Sequence, residues 1–139
     1  MMTGTARSHD LSPVASPASW TGASIDWRRE GLHLIDDAER AEIDAALAHL
    51  RGCGDLDFPA ITAAHFPLPL LGPRLAGLAH TLRHGRGFVL LRGFEPARYS
   101  DDDVARIYYG LGAHIGRATT QSRQGEYLGH VVDISDVDA

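Results

Sequence analysis

The sequence predicts an α+β fold in which helices pack outside a sheet that these 139 residues contain only in part. Three stretches place apolar residues at helical spacing between start and stop signals. The apolar run Phe88–Leu91 is too short for a helix and lies between glycines, as a strand does, and Glu126–Ile134 is a second strand candidate. Two strands separated by one helix do not close a core, so we expect most of the sheet to be missing from this sequence.

Composition narrows the class of protein. The chain is long enough for one domain or part of a larger one, and its 44% hydrophobic and 22% charged residues are typical of soluble globular proteins. A net charge of −5 argues against nucleic-acid binding, and no apolar run reaches the roughly 18 residues of a membrane span. Cys53 is the only cysteine, which excludes an internal disulfide, a zinc ribbon and an iron–sulfur cluster, and which favours a cytoplasmic setting. There is no lysine, so Schiff-base and P-loop chemistry is excluded.

The first stretch of the chain is small, polar and interrupted by Pro13 and Pro17. It lacks the apolar region of a signal peptide. We interpret residues 1–20 as a disordered leader and residues 21–139 as the folded part.

The first two helices are predicted from caps and apolar stripes. Asp36 or Asp37 can cap the first, Glu39 suits its first turn, and Gly52 stops it. Pro73 is expected to open the second helix after the extended connector "PLPLLGP", and Gly85 to end it. The apolar stripes are Ile43, Leu47 and Leu50 in the first helix, and Leu75, Leu78, Ala79 and Leu82 in the second.

The strand Phe88–Leu91 and the third helix follow. A continuous apolar run fits a strand that is covered on both faces, so we expect aspartate at either Val89 or Leu90 to be severely destabilising in a chain extended through the missing downstream region. Ser100 begins the third helix, with Asp103 in the capping-box position. The predicted stripe of this helix is Val104, Ile107, Tyr108 and Leu111.

Four candidate sites each have a simpler structural explanation. The stretch "GLGAHIG", Gly110–Gly116, resembles a dinucleotide fingerprint, but it ends a helix instead of following a strand, and we favour helix termination. His80 and His84 could present two imidazoles to one metal, although two solvated residues in a last turn explain them more simply. His130 and Asp133 would point to opposite faces of a strand, and could share a metal only if a bulge or turn intervened.

Gln121 is the fourth candidate, a weak one for the substrate pocket. It precedes the last strand candidate and could contact a ligand, although most loop amides are solvated.

Three segments together resemble the N-terminal part of the taurine dioxygenase-like (TauD/TfdA) family. They are "HGRGFVLLRGF", "YSDDDVARIYYGLGAHIG" and "QSRQGEYLGHVVDI", within Phe66–Ile134. The resemblance implies a double-stranded β-helix, or jelly roll, with outer helices. It also implies Fe(II) held by two histidines and a carboxylate, 2-oxoglutarate as the second cofactor, and hydroxylation-type C–H oxidation of a small molecule, secondary metabolites included.

The resemblance also implies what these residues lack. The family's first two iron ligands form an H-x-D or H-x-E pair, and no histidine here is followed two places later by an acidic residue. We therefore expect residues 21–139 to be the N-terminal part of a dioxygenase domain that stops before the metal-binding strands. We expect no catalytic residue, no metal ligand and no cofactor bound by this chain alone. A small-molecule substrate belongs to the full-length enzyme, and the oligomeric state is left open.

The alternative hypothesis is non-catalytic. The chain could be a helix-plus-strand interaction module, or the remnant of a gene, whose exposed sheet edge pairs with a partner chain.

Overall fold

A computed structural model describes residues 12–131 and Asp133. This part of the chain combines helices with two short strands, and this confirms the α+β class. In chain order they are α1 (Trp27–Glu30), β1 (Leu32–Leu34), α2 (Asp37–Gly52), α3 (Leu71–His84), β2 (Leu90–Arg92) and α4 (Asp101–Ala113), with 3-10 turns at Phe58–Ala60 and Pro96–Arg98.

Helix α2 has the predicted bounds and cap. The Asp36 carboxylate accepts a hydrogen bond from the Glu39 backbone N–H at 2.8 Å, and the Glu39 carboxylate accepts one from the Asp36 N–H at 3.1 Å. Glu39 is buried, and Arg74 of α3 neutralises it at 2.6 Å. The predicted stripe of α2 is buried in the core.

Helix α3 begins at Leu71, two residues before the predicted start. Pro73 still lies in the first turn, where its missing N–H costs no hydrogen bond. No side chain of α3 caps this end. Instead, the Glu42 carboxylate of α2 accepts hydrogen bonds from the backbone N–H groups of Leu70, at 2.6 Å, and Leu71, at 2.7 Å.

Helix α4 starts at the predicted Ser100 cap, but one member of its stripe was wrong. Ile107 is fully buried, whereas Tyr108 is 68% exposed and Tyr109 faces the core. The buried face continues from Ile107 through Gly110, against which the ring of Phe66 packs. The pattern missed this face because a glycine carries no hydrophobic side chain to count.

The sheet has two parallel strands, with Leu32 opposite Leu90 and Leu34 opposite Arg92. Strand β1 was not predicted, because three residues with a central histidine carry little signal. The predicted strand exists but starts at Leu90, and the expectation that both of its faces are covered was wrong. Val89 and Leu91 pack against the core, whereas Leu90 between them is 44% exposed, so the two faces are covered unequally.

The predicted last strand is also wrong where it can be checked. Residues 126–131 are irregular, and Val132 and Ile134 lie outside the described residues. One hydrogen bond from the Gln121 N–H to the Glu126 carbonyl, 2.7 Å long, holds the start of this segment, and no ladder follows. Residues 126–131 have no neighbouring strand among the described residues to pair with, and without one their backbone N–H and C=O groups have no partners for a ladder.

Gly93 explains why the strand motif ends in Arg-Gly. Its φ of +101° favours glycine, and a β-carbon there would lie 2.7 Å from the carbonyl oxygen of Ile35. The chain can therefore turn sharply away from the sheet directly after β2.

The core lies between the helices and not against a broad sheet. Its largest fully buried side chains are Phe66, Ile43, Leu50, Leu71, Leu75 and Ile107. Residues 1–11 of the predicted leader lie outside the described residues. Within the rest of it, the Trp20 indole N–H donates to the Arg86 carbonyl at 2.8 Å, and the ring lies 5.1 Å from that of Phe88.

Candidate functional site

An open groove of about 1170 Å³ lies between α4 and the segment 117–131. Its floor is apolar and contains Ile61, Leu91 and Leu111. Polar and aromatic side chains at its rim include Tyr108, Arg117, Gln121, Tyr127 and His130. A concave apolar surface with a few polar groups is the usual form of a small-molecule site.

Helix α4 supplies one wall because of how it is anchored. Ile107 and Gly110 fix its inner face against Phe66, so Tyr108, Leu111 and Gly112 fall on the groove side at i, i+3 and i+4. His114, the C-terminal cap residue, fastens the end of the helix by a 2.7 Å hydrogen bond between its Nε2 and the carbonyl of Phe66. A carbonyl only accepts, so this nitrogen carries the proton.

The stretch Gly110–Gly116 thus ends a helix, as we interpreted it. Gly110 and Gly112 lie inside α4.

Gln121, the residue that the sequence suggested as a possible ligand contact, lines the groove. It is exposed, and its side-chain amide donates to the Thr119 carbonyl at 3.0 Å. The backbone turn from Ser122 to Gly125 holds this loop in place. No hydrogen bond from the described residues reaches the side-chain oxygen of Gln121, Oε1, which leaves this atom available to a ligand donor.

The aromatic side chains of the groove are in different environments. Burial raises the pKa of Tyr109, and the neighbouring Tyr127 adds to the shift, so Tyr109 stays neutral at physiological pH. Its ring also lies 5.4 Å from that of Phe58. Tyr108, by contrast, presents most of its surface to solvent and can contact a ligand without displacing the core.

The charge of the groove differs from that of the whole chain. Among the described residues that line it, Arg117 is the one permanent cation and none is acidic. Arg117 makes no ion pair with the part of the chain that the structure describes. In a protein of net charge −5, a groove with an unpaired arginine and no carboxylate favours an anionic group.

A neighbouring cavity of about 480 Å³ has the opposite character. Asp57, Asp101, Asp102 and Glu126 line it, and His130 and Tyr127 are shared with the groove. Asp102 is already paired with Arg106 at 2.9 Å and with Arg51 at 3.5 Å. Its charge is therefore largely satisfied by the protein.

The remaining sequence candidates do not converge on the groove. His130 and Asp133 are exposed in irregular chain, and Cys53 is exposed at the end of α2. His80 and His84 are exposed on α3, with ring centroids 4.8 Å apart. Within residues 12–131 and Asp133, no group of three or more histidine, cysteine or acidic side chains could hold a metal ion.

Sequence reasoning missed the groove itself. Tyr108 was assigned to the core, and Arg117 was not singled out. The neighbouring tyrosines of "IYYG" were the available signal, because two adjacent aromatic residues on a helix cannot both face the core.

Two known proteins are similar to this chain. A taurine hydroxylase-like protein of Stachybotrys chartarum is 30% identical over 118 residues, which cover 84% of this chain and 30% of that protein. The FR-33289 synthase of Streptomyces rubellomurinus is 28% identical over 128 residues, which cover 89% of this chain and 35% of that protein. These similarities, at low identity, support a relationship to taurine dioxygenase-like oxygenases.

The chain spans about a third of the length of these two relatives. No protein-family profile matches it. None of the helices in the described residues is long and apolar enough to cross a membrane.

Proposed function

We propose that this chain is the N-terminal part of a non-haem Fe(II)/2-oxoglutarate-dependent dioxygenase of the taurine dioxygenase-like family. The similarity to a taurine hydroxylase-like protein, over 84% of this chain, carries the proposal. The helices of this chain would pack outside a jelly roll, and β1 and β2 would belong to its sheet. Oxidation of a small molecule is the proposed activity of the whole enzyme.

The residues of this chain do not fit the two-histidine, one-carboxylate iron site that the proposal implies. The sequence contains no H-x-D or H-x-E pair, and the described residues offer no cluster of three ligands. Iron and the oxoglutarate would therefore be held by residues that are not among these 139. We assign no chemical step to this chain.

Its contribution would be one wall of the substrate pocket. In the groove, Tyr108 and the apolar floor would contact the body of the substrate, and Arg117 and Gln121 would orient its polar groups. The absence of carboxylates among the described lining residues supports an organic acid over an amine.

A gene-level observation tests the family assignment. Sequencing the locus beyond the codon for Ala139 should reveal, in frame, an H-x-D or H-x-E pair, then a histidine and an arginine far downstream. A stop codon with no such sequence in any frame would contradict an enzyme and favour an interaction module or gene remnant.

A chimera tests the role of the groove. The matched segment of the taurine hydroxylase-like protein is replaced by this chain, and succinate formation is followed with organic-acid substrates. Arg117→Gln should raise KM about tenfold or more with little change in kcat, because a charge-assisted hydrogen bond contributes about 1.5–3 kcal/mol. Arg123→Gln is the matched control, an exposed arginine that does not line the groove and should leave KM unchanged.

The interaction module remains the second candidate because one face of the sheet is partly exposed. Leu34 is 62% exposed and Leu90 44% exposed on that face. Two results together would favour this candidate. The chain would bind a partner tightly and lose that binding in Leu34→Asp, and the chimera would show no oxoglutarate turnover.

A further inference from the structure

We propose that His80 and His84 form a two-histidine site on α3 for a divalent transition-metal ion such as Cu²⁺, Ni²⁺ or Zn²⁺. This site is separate from the groove and does not depend on the proposed oxidation. The sequence suggested the pair only by its i, i+4 spacing. The structure adds three observations that favour a shared metal.

The first observation is the distance between the rings. Their centroids lie 4.8 Å apart, with the planes inclined by 45°. A metal bound at about 2.1 Å from a ring nitrogen lies about 3.2 Å from the ring centre. Two centres 4.8 Å apart then subtend about 100° at one ion. This angle lies between those of octahedral and tetrahedral coordination, so the separation of the rings is compatible with one ion bound by both imidazoles.

The second observation is that both imidazoles are available. His80 and His84 are exposed, and neither makes a hydrogen bond or ion pair with the described residues. The nearby cations are directed elsewhere. Arg86 pairs with Glu30 at 2.5 Å, and the Arg83 guanidinium contacts the carbonyl of Ile115 at 3.5 Å. An ion at the histidine pair would therefore meet little repulsion.

The third observation is the position of the pair at the C-terminal end of α3. The helix has 14 residues and ends at His84 itself. The partial negative charge of a helix C-terminus favours a cation there. Two protein ligands leave the remaining positions to water, so the ligand class is an exchangeable borderline metal ion that prefers imidazole.

Metal titration of the untagged full chain tests the proposal. Isothermal titration with NiCl₂, ZnCl₂ and CuCl₂ should give one saturable site in a non-chelating buffer, with Cu²⁺ tightest. Binding should also raise the midpoint of thermal unfolding, since the helical spacing exists only in the folded chain.

Substitutions locate the site. His80→Ala and His84→Ala should each lower the affinity at least about tenfold, because even the indirect supports of a metal ligand contribute about 10–100-fold. Arg83→Ala, in the same turn, should retain the affinity of the parent. Both histidines are exposed, so the variants should unfold like the parent without metal. Equal affinity of the parent and the doubly substituted chain, or no saturable binding of any of the three ions, would overturn the proposal.

Discussion

The ring of Phe88 occupies the space beside Gly31 that any larger side chain would need. Gly31 precedes β1, and Phe88 precedes β2, so this contact sets the two strands side by side before their hydrogen bonds begin. The Leu90 N–H then donates to the Gly31 carbonyl at 2.8 Å.

Gly31→Ala should therefore destabilise the chain by about 1–3 kcal/mol through overpacking. The φ of Gly31 is −137°, which alanine accepts, so the cost is steric. Urea unfolding measures the effect. Gly77→Ala is the control, since a β-carbon there meets open space on α3, and this change should stabilise by about 1 kcal/mol. A Gly31→Ala chain as stable as the parent would show that Phe88 is not fixed in this position.

Glu42 should behave as the N-terminal cap of α3 although it belongs to α2. Glu42→Ala leaves the N–H groups of Leu70 and Leu71 without their acceptor, and should cost about 1–2 kcal/mol. Glu42→Gln keeps one acceptor oxygen, so its free energy of unfolding should lie between those of the parent and of Glu42→Ala. Denaturant unfolding of the three proteins gives the order, and a fully stable Glu42→Ala would refute the cap.

Aspartate substitutions in and beside β2 should distinguish its two faces. Val89 packs against the core, and Val89→Asp should cost about 2 kcal/mol or more. Leu90 lies on the exposed face, and Leu90→Asp should stay within about 0.5 kcal/mol. Thermal unfolding of both variants of this 139-residue chain makes the comparison. Equal damage at both positions would mean that the second face is covered after all.

Tyr99 should give the chain a component of stability that is lost at alkaline pH. Burial, followed by the 2.5 Å hydrogen bond that its hydroxyl donates to Asp44, raises the pKa of Tyr99 to about 12. The pKa of an unfolded tyrosine is about 10. The folded pKa is the higher one, so the stabilisation is complete below about pH 10 and is lost as the pH rises through about 12.

Tyrosinate absorbance and pH-dependent unfolding check this expectation. One of the four tyrosines should titrate at about 12, and Tyr99→Phe should remove that step. The difference in unfolding free energy between parent and variant should shrink above about pH 10. A constant difference across that range would exclude the proposed linkage.

Local signals in the sequence predicted much of the helical part. Asp36 with Glu39 and Ser100 with Asp103 lie three residues apart, so their caps can be recognised without any tertiary information. The sheet could not be predicted in this way, because β1 is defined by its pairing with residues far along the chain. The groove depends on Gly110 and Phe66, whose contact turns Tyr108 outward. The sequence suggested Gln121 only as a weak candidate for a ligand contact, and the groove with its unpaired Arg117 follows only from the three-dimensional arrangement.

The parallel pairing of β1 and β2 also has a kinetic consequence. Leu32 meets Leu90, which is 90 − 32 = 58 positions later. Closing such a loop costs about 3–4 kcal/mol of chain entropy, whereas helices form within about a microsecond. The helices α2 and α3 should therefore dock first and bring the strands together late. Weakening the Phe88 contact at Gly31 should then accelerate unfolding and leave the refolding rate nearly unchanged, which stopped-flow measurements can resolve.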